Sequence, residues 1–399
     1  MHIGSVIKKI LFIGFSIQIV LGLIWLYRNF GQVQDFGEPD SALYGCLYAL
    51  TGKNHSVMYL LQLAAAFLAG NCLLGRLGMP PVWRNVSGGL LTTWRGLVLL
   101  TYPFALQCHL AIQPYSFMSS LFLALLSLLP GGFGRRQKES SGAGAWKKRI
   151  GCLVGAAVCA GLIILLSGAA DRDKREEPGR SFEAALASRF AWPTIWNDRE
   201  YWPEELRQMT EGVLWETAYF PNNMKILQAR LEESVGKEEA KAYNLQIAKT
   251  GWELHSSTVI RQIGWDVLGY MFTPLVFQWQ LKGNAYDSYT GRNYEIMRDH
   301  EPVLTRYYVD YACWWFGWML LLALVLTGIR LLRTKERDWR GSLIYLICCL
   351  AAAGAWAVLL AMRGAGRMDY RQTIAFNELW LVWALLLMKQ WDGKCRERE

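Results

Sequence analysis

The residues most suited to chemistry form two charged groups, each in a short polar stretch between apolar segments. The acidic group is Asp35, Glu38 and Asp40, within the sequence QDFGEPD. Gly37 and Pro39 interrupt this stretch, so the carboxylates are expected on an irregular segment rather than on a helix. A carboxylate in that position could act as a general base towards a hydroxyl, or bind a divalent cation together with phosphates. The alternative is an ordinary solvated acidic loop.

The basic group is Arg363, Arg367 and Arg371, which bracket a glycine-containing loop near the C-terminus. A guanidinium group matches the geometry of phosphate oxygens and stays charged at any physiological pH. The sequence therefore predicts an anion site for a lipid phosphate or diphosphate. In the alternative interpretation, the arginines extend towards lipid headgroups and one of them pairs with Asp369.

The elements that must position these residues are eight apolar segments, each near the roughly 20 residues that a membrane-spanning helix needs. The chain has 399 residues, 53% hydrophobic content, 19 tryptophans and a mean hydropathy of +0.13. These values favour an all-α, polytopic helical membrane protein with about eight transmembrane helices. The predicted segments are 10–27, 56–75, 96–112, 115–131, 150–169, 311–332, 341–362 and 372–391.

Residues 171–310 form a polar module between the fifth and sixth segments. They hold 22 of the 33 acidic residues and 17 of the 42 basic residues. The domains are therefore an N-terminal bundle of about five helices (1–170), an extracytoplasmic helical module (171–310) and about three C-terminal helices (311–399). Within the module, helical periodicity predicts a hairpin of helices over 222–234 and 237–255, separated at Gly236. An interfacial helix near 257–281 is expected because tryptophan and tyrosine concentrate at that depth.

The distribution of basic residues predicts the orientation. Twenty lysines and arginines fall in the short segments assigned to one side, and five fall in those assigned to the other. The positive-inside rule then gives a multi-pass protein of the cell membrane whose N- and C-termini are cytoplasmic. The arginine loop is a local exception to this rule, because its three arginines would lie on the outer side.

Several functional classes lack support in the sequence. The chain contains no GxGxxG, GxxxxGK[ST], GxSxG or HExxH motif. Its basic residues cluster at helix ends and form no basic patch with interleaved aromatics, which excludes a nucleic-acid partner. No CxxC pair is present to hold a metal, although a Cys46–Cys108 disulfide is conceivable at the outer face. The four histidines at 55, 109, 255 and 300 are expected at the outer surface without a metal.

One ionisable side chain, Glu378, falls inside a predicted membrane segment next to Asn377. Such a group is a functional candidate because burying it in a membrane is costly. A single group is too little for an ion pathway, and no inverted repeat or pair of broken helices points to a transporter.

The order of these features resembles the GT-C superfamily of polytopic glycosyltransferases. The similarity rests on the acidic loop QDFGEPD, on YLLQLAAAFLAG (59–70) and TYPFALQCHLAIQPYS (101–116), and on RGAGRMDYRQTIAFNELW (363–380). The resemblance implies that Asp35, Glu38 or Asp40 is the catalytic acid and that Arg367 or Arg371 binds the lipid phosphate. It also implies transfer of a sugar from a polyprenyl-phosphate donor to an envelope acceptor.

This resemblance implies the lipid bilayer and the lipid-linked sugar as partners, with no obligatory cofactor and a divalent cation as an option. The competing hypothesis is a non-catalytic assembly or sensor protein. In that case the 171–310 module would bind an extracytoplasmic protein or glycan, and the apolar helices would only anchor it.

Overall fold

The structure is a computed structural model that describes residues 2–29, 41–76, 86–110, 114–128, 143–166, 181–191, 199–208, 220–272, 302–333, 337–364 and 374–396. Every regular element in these ranges is helical, as the sequence predicts. The helices are α1 His2–Asn29, α2 Ala42–Leu50, α3 His55–Arg76, α4 Val86–Leu100, α5 Pro103–His109, α6 Tyr115–Leu128, α7 Ala143–Leu166, α8 Phe182–Ala191, α9 Phe220–Val235, α10 Lys237–Met271, α11 Pro302–Arg333, α12 Arg337–Gly364 and α13 Ile374–Arg396.

Three described helical stretches are long and apolar enough to cross a membrane, namely Ile3–Arg28, His55–Gly75 and Asp310–Arg330. Four shorter apolar stretches accompany them: Tyr115–Leu128, Ile150–Leu166, Cys349–Met362 and Phe376–Met388. These helices are consistent with a membrane location, and their large exposed side chains are mostly aliphatic. The total of eight spans remains a prediction.

The first apolar helix packs antiparallel to α11. Gly14 of α1 lies against the indole of Trp315, and Gly22 lies against the hydroxyl of Tyr308 and against Thr101. Because glycine has no Cβ, it lets two helix backbones approach closely, as is common in membrane bundles. The Tyr311 hydroxyl also donates a 2.7 Å hydrogen bond to the Gly14 carbonyl. The close approach of the two helices at these glycines therefore determines how α1 packs against α11.

Helices α4 and α5 continue one another across a break at Thr101 and Tyr102, and Pro103 explains the break. Proline has no N–H group and so interrupts the helical hydrogen-bond ladder. The Val98 carbonyl accepts a 2.9 Å hydrogen bond from Gln18 of α1. The Thr101 carbonyl accepts one from the Tyr308 hydroxyl of α11. Side chains of neighbouring helices thus satisfy carbonyls near a proline break in an apolar bundle.

Helix ends from seven elements meet at one end of the bundle, which we call the polar end. Its packing joins the end of α1 with α2, the starts of α3 and α11, the ends of α5 and α7 and the start of α6. The residues involved are Trp25, Tyr44, Met58, Tyr59, Leu110, Leu166, Tyr308 and Phe117. The Ser41 hydroxyl before α2 donates to the Leu165 carbonyl of α7 at 3.1 Å. The opposite end holds the beginning of α1 and the C-terminal part of α13.

Part of the module has an apolar core of its own, formed by α8, α9, the first half of α10 and residues 199–208. Its buried members are Ala187, Trp202, Leu206, Leu227, Leu231, Ala240 and Ile247. The hairpin turns at Gly236, whose φ of 81° is the left-handed conformation that glycine adopts without strain. The predicted hairpin of helices is therefore present as α9 and α10.

The second half of α10 belongs to the bundle rather than to the module core. Ile263, Val267, Met271 and Phe272 pack against the bundle's main cluster. The Trp380 indole of α13 donates to the Met271 carbonyl at 2.9 Å and stacks on Phe272 at 4.9 Å. Helix α12 contacts α10 and α8, and it carries small buried residues at a four-residue spacing: Cys349, Ala353, Ala357 and Ala361. This small-residue face lets α10 lie close.

One sequence-based helix boundary is wrong. The third apolar segment, predicted as 96–112, is two helices that start at Val86 and break before Pro103. Proline interrupts the helical hydrogen-bond ladder there, which hydropathy does not report. The kink of α10 at His255 lies between the predicted helices 237–255 and 257–281, and the second of them is present up to Met271. Residues 273–281 lie outside the described residues, and the interfacial depth of this helix remains a prediction. Cys46 is a free thiol, so the conceivable Cys46–Cys108 disulfide is absent.

Candidate functional site

A chain of buried hydrogen bonds crosses the polar end from α2 to α6. The Tyr44 hydroxyl donates to the Gln62 carbonyl oxygen at 2.6 Å, and the Gln62 amide donates to the His109 backbone carbonyl at 2.7 Å. The His109 Nδ1 atom lies 2.7 Å from the Ser116 hydroxyl. All four side chains are fully buried. Polar groups buried this deeply are costly unless bonded, so the chain fixes four helices relative to one another.

The chain ends one helical turn from a buried carboxylate. Ser119 lies three residues after Ser116 on α6, and its hydroxyl donates to Glu378 of α13 at 2.9 Å. Only 2% of Glu378 is exposed. Its neighbour Asn377 is also buried. A single hydrogen bond from a neutral hydroxyl offsets little of the free energy that burying an acidic group costs. Buried acidic groups of this kind tend to occur at functional positions.

The serines that build this site share one face of α6. Ser116, Ser119 and Ser120 are buried, and their spacing of three and four residues puts them side by side on a helix. Ser120 donates to the Ser116 carbonyl of its own helix at 2.9 Å, whereas Ser116 and Ser119 face other helices. The serine face therefore works as the polar seam between α5, α6 and α13.

One nitrogen of this site has no partner. The His109 ring is fully buried, and its Nε2 atom forms no hydrogen bond with any residue that the structure describes. This histidine was expected at the surface, and that expectation is wrong, because its side chain is buried. His109 ends the short helix α5, which follows the break at Thr101 and Tyr102. A buried imidazole beside a hydroxyl can exchange a proton with it, so this pair is suited to relaying protons.

The six predicted site residues lie at or beyond the edges of the described structure. Asp35, Glu38 and Asp40 fall in residues 30–40, and Arg367 and Arg371 fall in 365–373, all outside the described residues. Arg363 belongs to the last turn of α12. The structure therefore tests neither the acidic group nor the basic group.

The helix ends that carry these two loops are described. Residues 30–40 connect Asn29 of α1 to Ser41, just before α2, at the polar end. Residues 365–373 connect Gly364 of α12 to Ile374 of α13. Glu378 follows Ile374 by four residues, which is about 6 Å along a helix axis. The buried polar site thus lies within two helical turns of the start of α13.

Besides Glu378, a buried ion pair joins the module to the bundle. Arg189 of α8 is almost fully buried and forms an ion pair through Nη1 with Asp266 of α10. Its Nε and Nη2 atoms form no hydrogen bond with the described residues. Burial raises the pKa of the Asp266 carboxyl above its ordinary value, while Arg189 and Gln262 act against that rise. Because its charges balance, the pair fits a structural role between module and bundle.

Metal chemistry has no assembled ligand set within the described part of the chain. No group of three or more His, Cys, Asp or Glu side chains is arranged there to hold a metal ion. What the described arrangement offers is a carboxylate, a hydroxyl and an imidazole in an apolar surrounding. These groups can take, hold or pass a proton.

Sequence reasoning identified part of this site. It singled out Glu378 and Asn377 as buried polar residues, and it did not identify Tyr44, Gln62, Ser116 or Ser119. The i, i+3, i+4 spacing of three serines within an apolar segment was the available signal. Gln62 also stands alone among apolar residues of α3, as an intramembrane amide does when it bonds to another helix.

The fold defines an all-helical protein with several helices apolar enough for a membrane and a polar module resting on two of them. Comparisons with protein-family models, with curated proteins and with solved structures find no match for this chain. The function of the site is therefore inferred from its own geometry and from the sequence.

Proposed function

We propose that this protein is a multi-pass membrane enzyme of the glycosyltransferase type, which moves a sugar from a polyprenyl-phosphate donor to an envelope acceptor. The observation that supports it is the convergence of helix ends at the polar end. The acidic residues follow the end of α1 at the polar end. The arginine residues precede α13, whose Glu378 bonds to Ser119 in the first turns of α6. Opposite charges next to these two helix ends suit a reaction that deprotonates an acceptor and releases a phosphate.

In the proposed reaction, one of Asp35, Glu38 and Asp40 takes the proton from the acceptor hydroxyl as its oxygen bonds to the anomeric carbon. The bond from that carbon to the phosphate oxygen breaks, and its electron pair leaves with the polyprenyl phosphate. Arg363, Arg367 and Arg371 would stabilise the negative charge that develops on this leaving group. Glu378, bonded to Ser119, and the His109–Ser116 pair would assist by taking, holding or passing a proton.

The first experiment measures binding of a polyprenyl phosphate to the full-length protein in detergent. Arg367→Ala and Arg371→Ala should each weaken binding by about tenfold or more, because each removes a charge-assisted hydrogen bond worth roughly 1.5–3 kcal/mol. Arg340→Ala, near the start of α12, is the matched control and should bind as wild type does. Equal binding by all four proteins would overturn the assignment of the arginine loop.

The second experiment measures transfer of labelled sugar from the lipid donor into membrane extracts. Asp35→Asn, Glu38→Gln and Asp40→Asn are compared one at a time. Loss of the general base should lower the rate by about 10²–10⁴ in one of them. If all three variants transfer at the wild-type rate, the acidic loop is not catalytic.

A membrane-anchored binding protein is the second candidate, and the module's surface favours it. Two large side chains of the module stand out into solvent, with Phe182 74% and Tyr201 65% exposed. Exposed aromatic side chains of this kind suit binding of a protein or glycan partner. In that case Phe182→Ser and Tyr201→Ser would abolish partner capture by the full-length protein, while Arg367→Ala would not.

A further inference from the structure

A pocket of about 460 Å³ opens at the end of the bundle opposite the polar end. It lies between the first turns of α1, the middle of α4 and the C-terminal part of α13. The residues that define this basic pocket are Ser5, Lys8, Lys9, Trp94, Arg95 and Met388. Its volume falls in the range of small-molecule sites. Three of its eight lining side chains are cationic, and none is acidic.

Arg95 is the unusual member of the basic pocket. Only 4% of this residue is exposed, yet its guanidinium forms no hydrogen bond or ion pair with another residue that the structure describes. Removing a charge from water without a partner is expensive, because desolvation is not offset by attraction. A guanidinium buried in the wall of an open pocket is well placed for an anion that enters it.

The walls of the basic pocket are rigid and apolar. Trp94 stacks on Phe12 of α1 with ring centroids 4.8 Å apart, and its indole nitrogen donates to the Ser16 hydroxyl at 3.2 Å. Phe12 and Ile13 also line the pocket. The outward face of α1 continues from there as exposed aliphatic residues, including Ile17 and Val20. A ligand whose charged group lies in the pocket could therefore place its alkyl chain along the outward face of α1.

We propose that the basic pocket binds the phosphate of an anionic lipid, with Arg95 as the buried phosphate ligand and Lys8 and Lys9 at its mouth. The acyl chains would follow the apolar face of α1. Basic pockets between helices that face an anionic leaflet are suited to such headgroups. The pocket lies at the end of the bundle opposite the polar end, so the proposal does not depend on the proposed sugar transfer.

The test measures binding of dioctanoyl phosphatidic acid to the full-length protein in a zwitterionic detergent. Wild type should bind it saturably, and dioctanoyl phosphatidylcholine at least tenfold more weakly, because its choline group cancels the phosphate charge. Inorganic phosphate should also bind at least tenfold more weakly, since it lacks the chains. Equal binding of the two lipids would overturn the proposal, and equal binding of inorganic phosphate would overturn its lipid part.

Variants then locate the bound phosphate. Arg95→Gln should weaken binding of phosphatidic acid at least tenfold, and Lys9→Gln about threefold, whereas Lys53→Gln at the polar end should leave it unchanged. Ser5→Phe narrows the mouth without removing a charge and should also weaken binding. Because Ser5 and Lys9 are exposed, these two variants remain informative if Arg95→Gln does not fold. Wild-type binding in both would overturn the assignment of the pocket.

Discussion

The bundle and the module bury charge in different ways. In the bundle, Glu378 has the neutral Ser119 hydroxyl as its hydrogen-bond donor, across 259 residues of sequence. Where the module meets the bundle, Arg189 of α8 and Asp266 of α10 neutralise each other across 77 residues. A paired charge holds two elements together, whereas a buried acidic group whose hydrogen-bond donor is a neutral hydroxyl can still exchange a proton. The charges with a structural role therefore lie at the contact between the module and the bundle, and the reactive group lies inside the bundle.

The largest expected effect tests the structural half of this comparison. Asp266→Ala leaves Arg189 buried without its counter-ion, and the free energy of unfolding should fall by about 3–5 kcal/mol. Thermal unfolding in detergent measures it. The matched control is Glu253→Ala, which removes the exposed pair with Lys249 at 3.8 Å and should cost at most about 0.5 kcal/mol. Similar losses in both variants would contradict a structural role for the buried pair.

The next largest effect concerns the packing of the bundle. Gly14→Ala adds a Cβ that overlaps the Trp315 ring, and the overlap should cost about 1–3 kcal/mol through displacement of α1 from α11. Gly161→Ala on α7 is the control, because nothing lies within 4 Å of the added atom. The control should be neutral or slightly stabilising, since alanine favours a helix over glycine. Thermal unfolding of the two variants gives the difference directly.

The reactive half of the comparison predicts that stability and activity separate at Glu378. Glu378→Gln keeps the shape and an acceptor for Ser119, so the free energy of unfolding should change by less than about 1 kcal/mol. Ser119→Ala removes the donor from a buried carboxylate and should cost about 1–3 kcal/mol. The control is Ser127→Ala, whose hydroxyl bonds only to its own helix, at the Ala124 carbonyl.

Activity completes this test. Glu378→Gln should reduce the sugar-transfer rate at least tenfold despite its intact fold, because glutamine can neither take up nor release a proton. Unchanged transfer in a fully folded Glu378→Gln protein would mean that the bundle buries this carboxylate for structural reasons. The contrast between bundle and module would then disappear.

The smallest effect lies on the module surface. The Tyr243 hydroxyl donates to Glu205 at 3.0 Å, and this bond raises the pKa of the phenol above its ordinary value. The bond is therefore present below the unfolded pKa near 10 and is lost as the pH rises through the folded pKa. Absorbance titrations from which the Tyr243→Phe curve is subtracted isolate the ionisation of Tyr243. The pKa of Tyr243 should be lower in Glu205→Gln than in the wild type. The same pKa in both proteins would exclude the hydrogen bond as its cause.

Hydrophobic patterning predicted much of the fold. The apolar segments that became α1, α3 and α11, and the hairpin of α9 and α10 around Gly236, follow from periodicity and glycine chemistry. The kink at His255 also agrees with the predicted boundary between helices 237–255 and 257–281, whereas the break before Pro103 was not expected to divide the third segment into two helices. A proline signals an interruption, but only the surrounding helices decide whether the chain stops or continues. Here Gln18 and Tyr308 bond to carbonyls beside the break and let α4 lead into α5.

For the candidate site, too, some residues could be predicted from the sequence and others could not. The sequence marked Glu378 because a charge inside an apolar run is visible without a structure, and it proposed Asp35, Glu38, Asp40 and the arginine loop from charge type and spacing. It placed His109 at the surface, since nothing local distinguishes a buried imidazole from an exposed one.

By itself the sequence determined the helical class, the apolar character of the helices and the polar nature of residues 171–310, because these depend on composition and on periods of a few residues. Only the tertiary structure decided that Ser119 meets Glu378, that Arg189 meets Asp266 and that Arg95 is buried beside a pocket. Contacts over such sequence separations depend on how whole helices pack. Packing is set by many weak contacts at once, which no local pattern records.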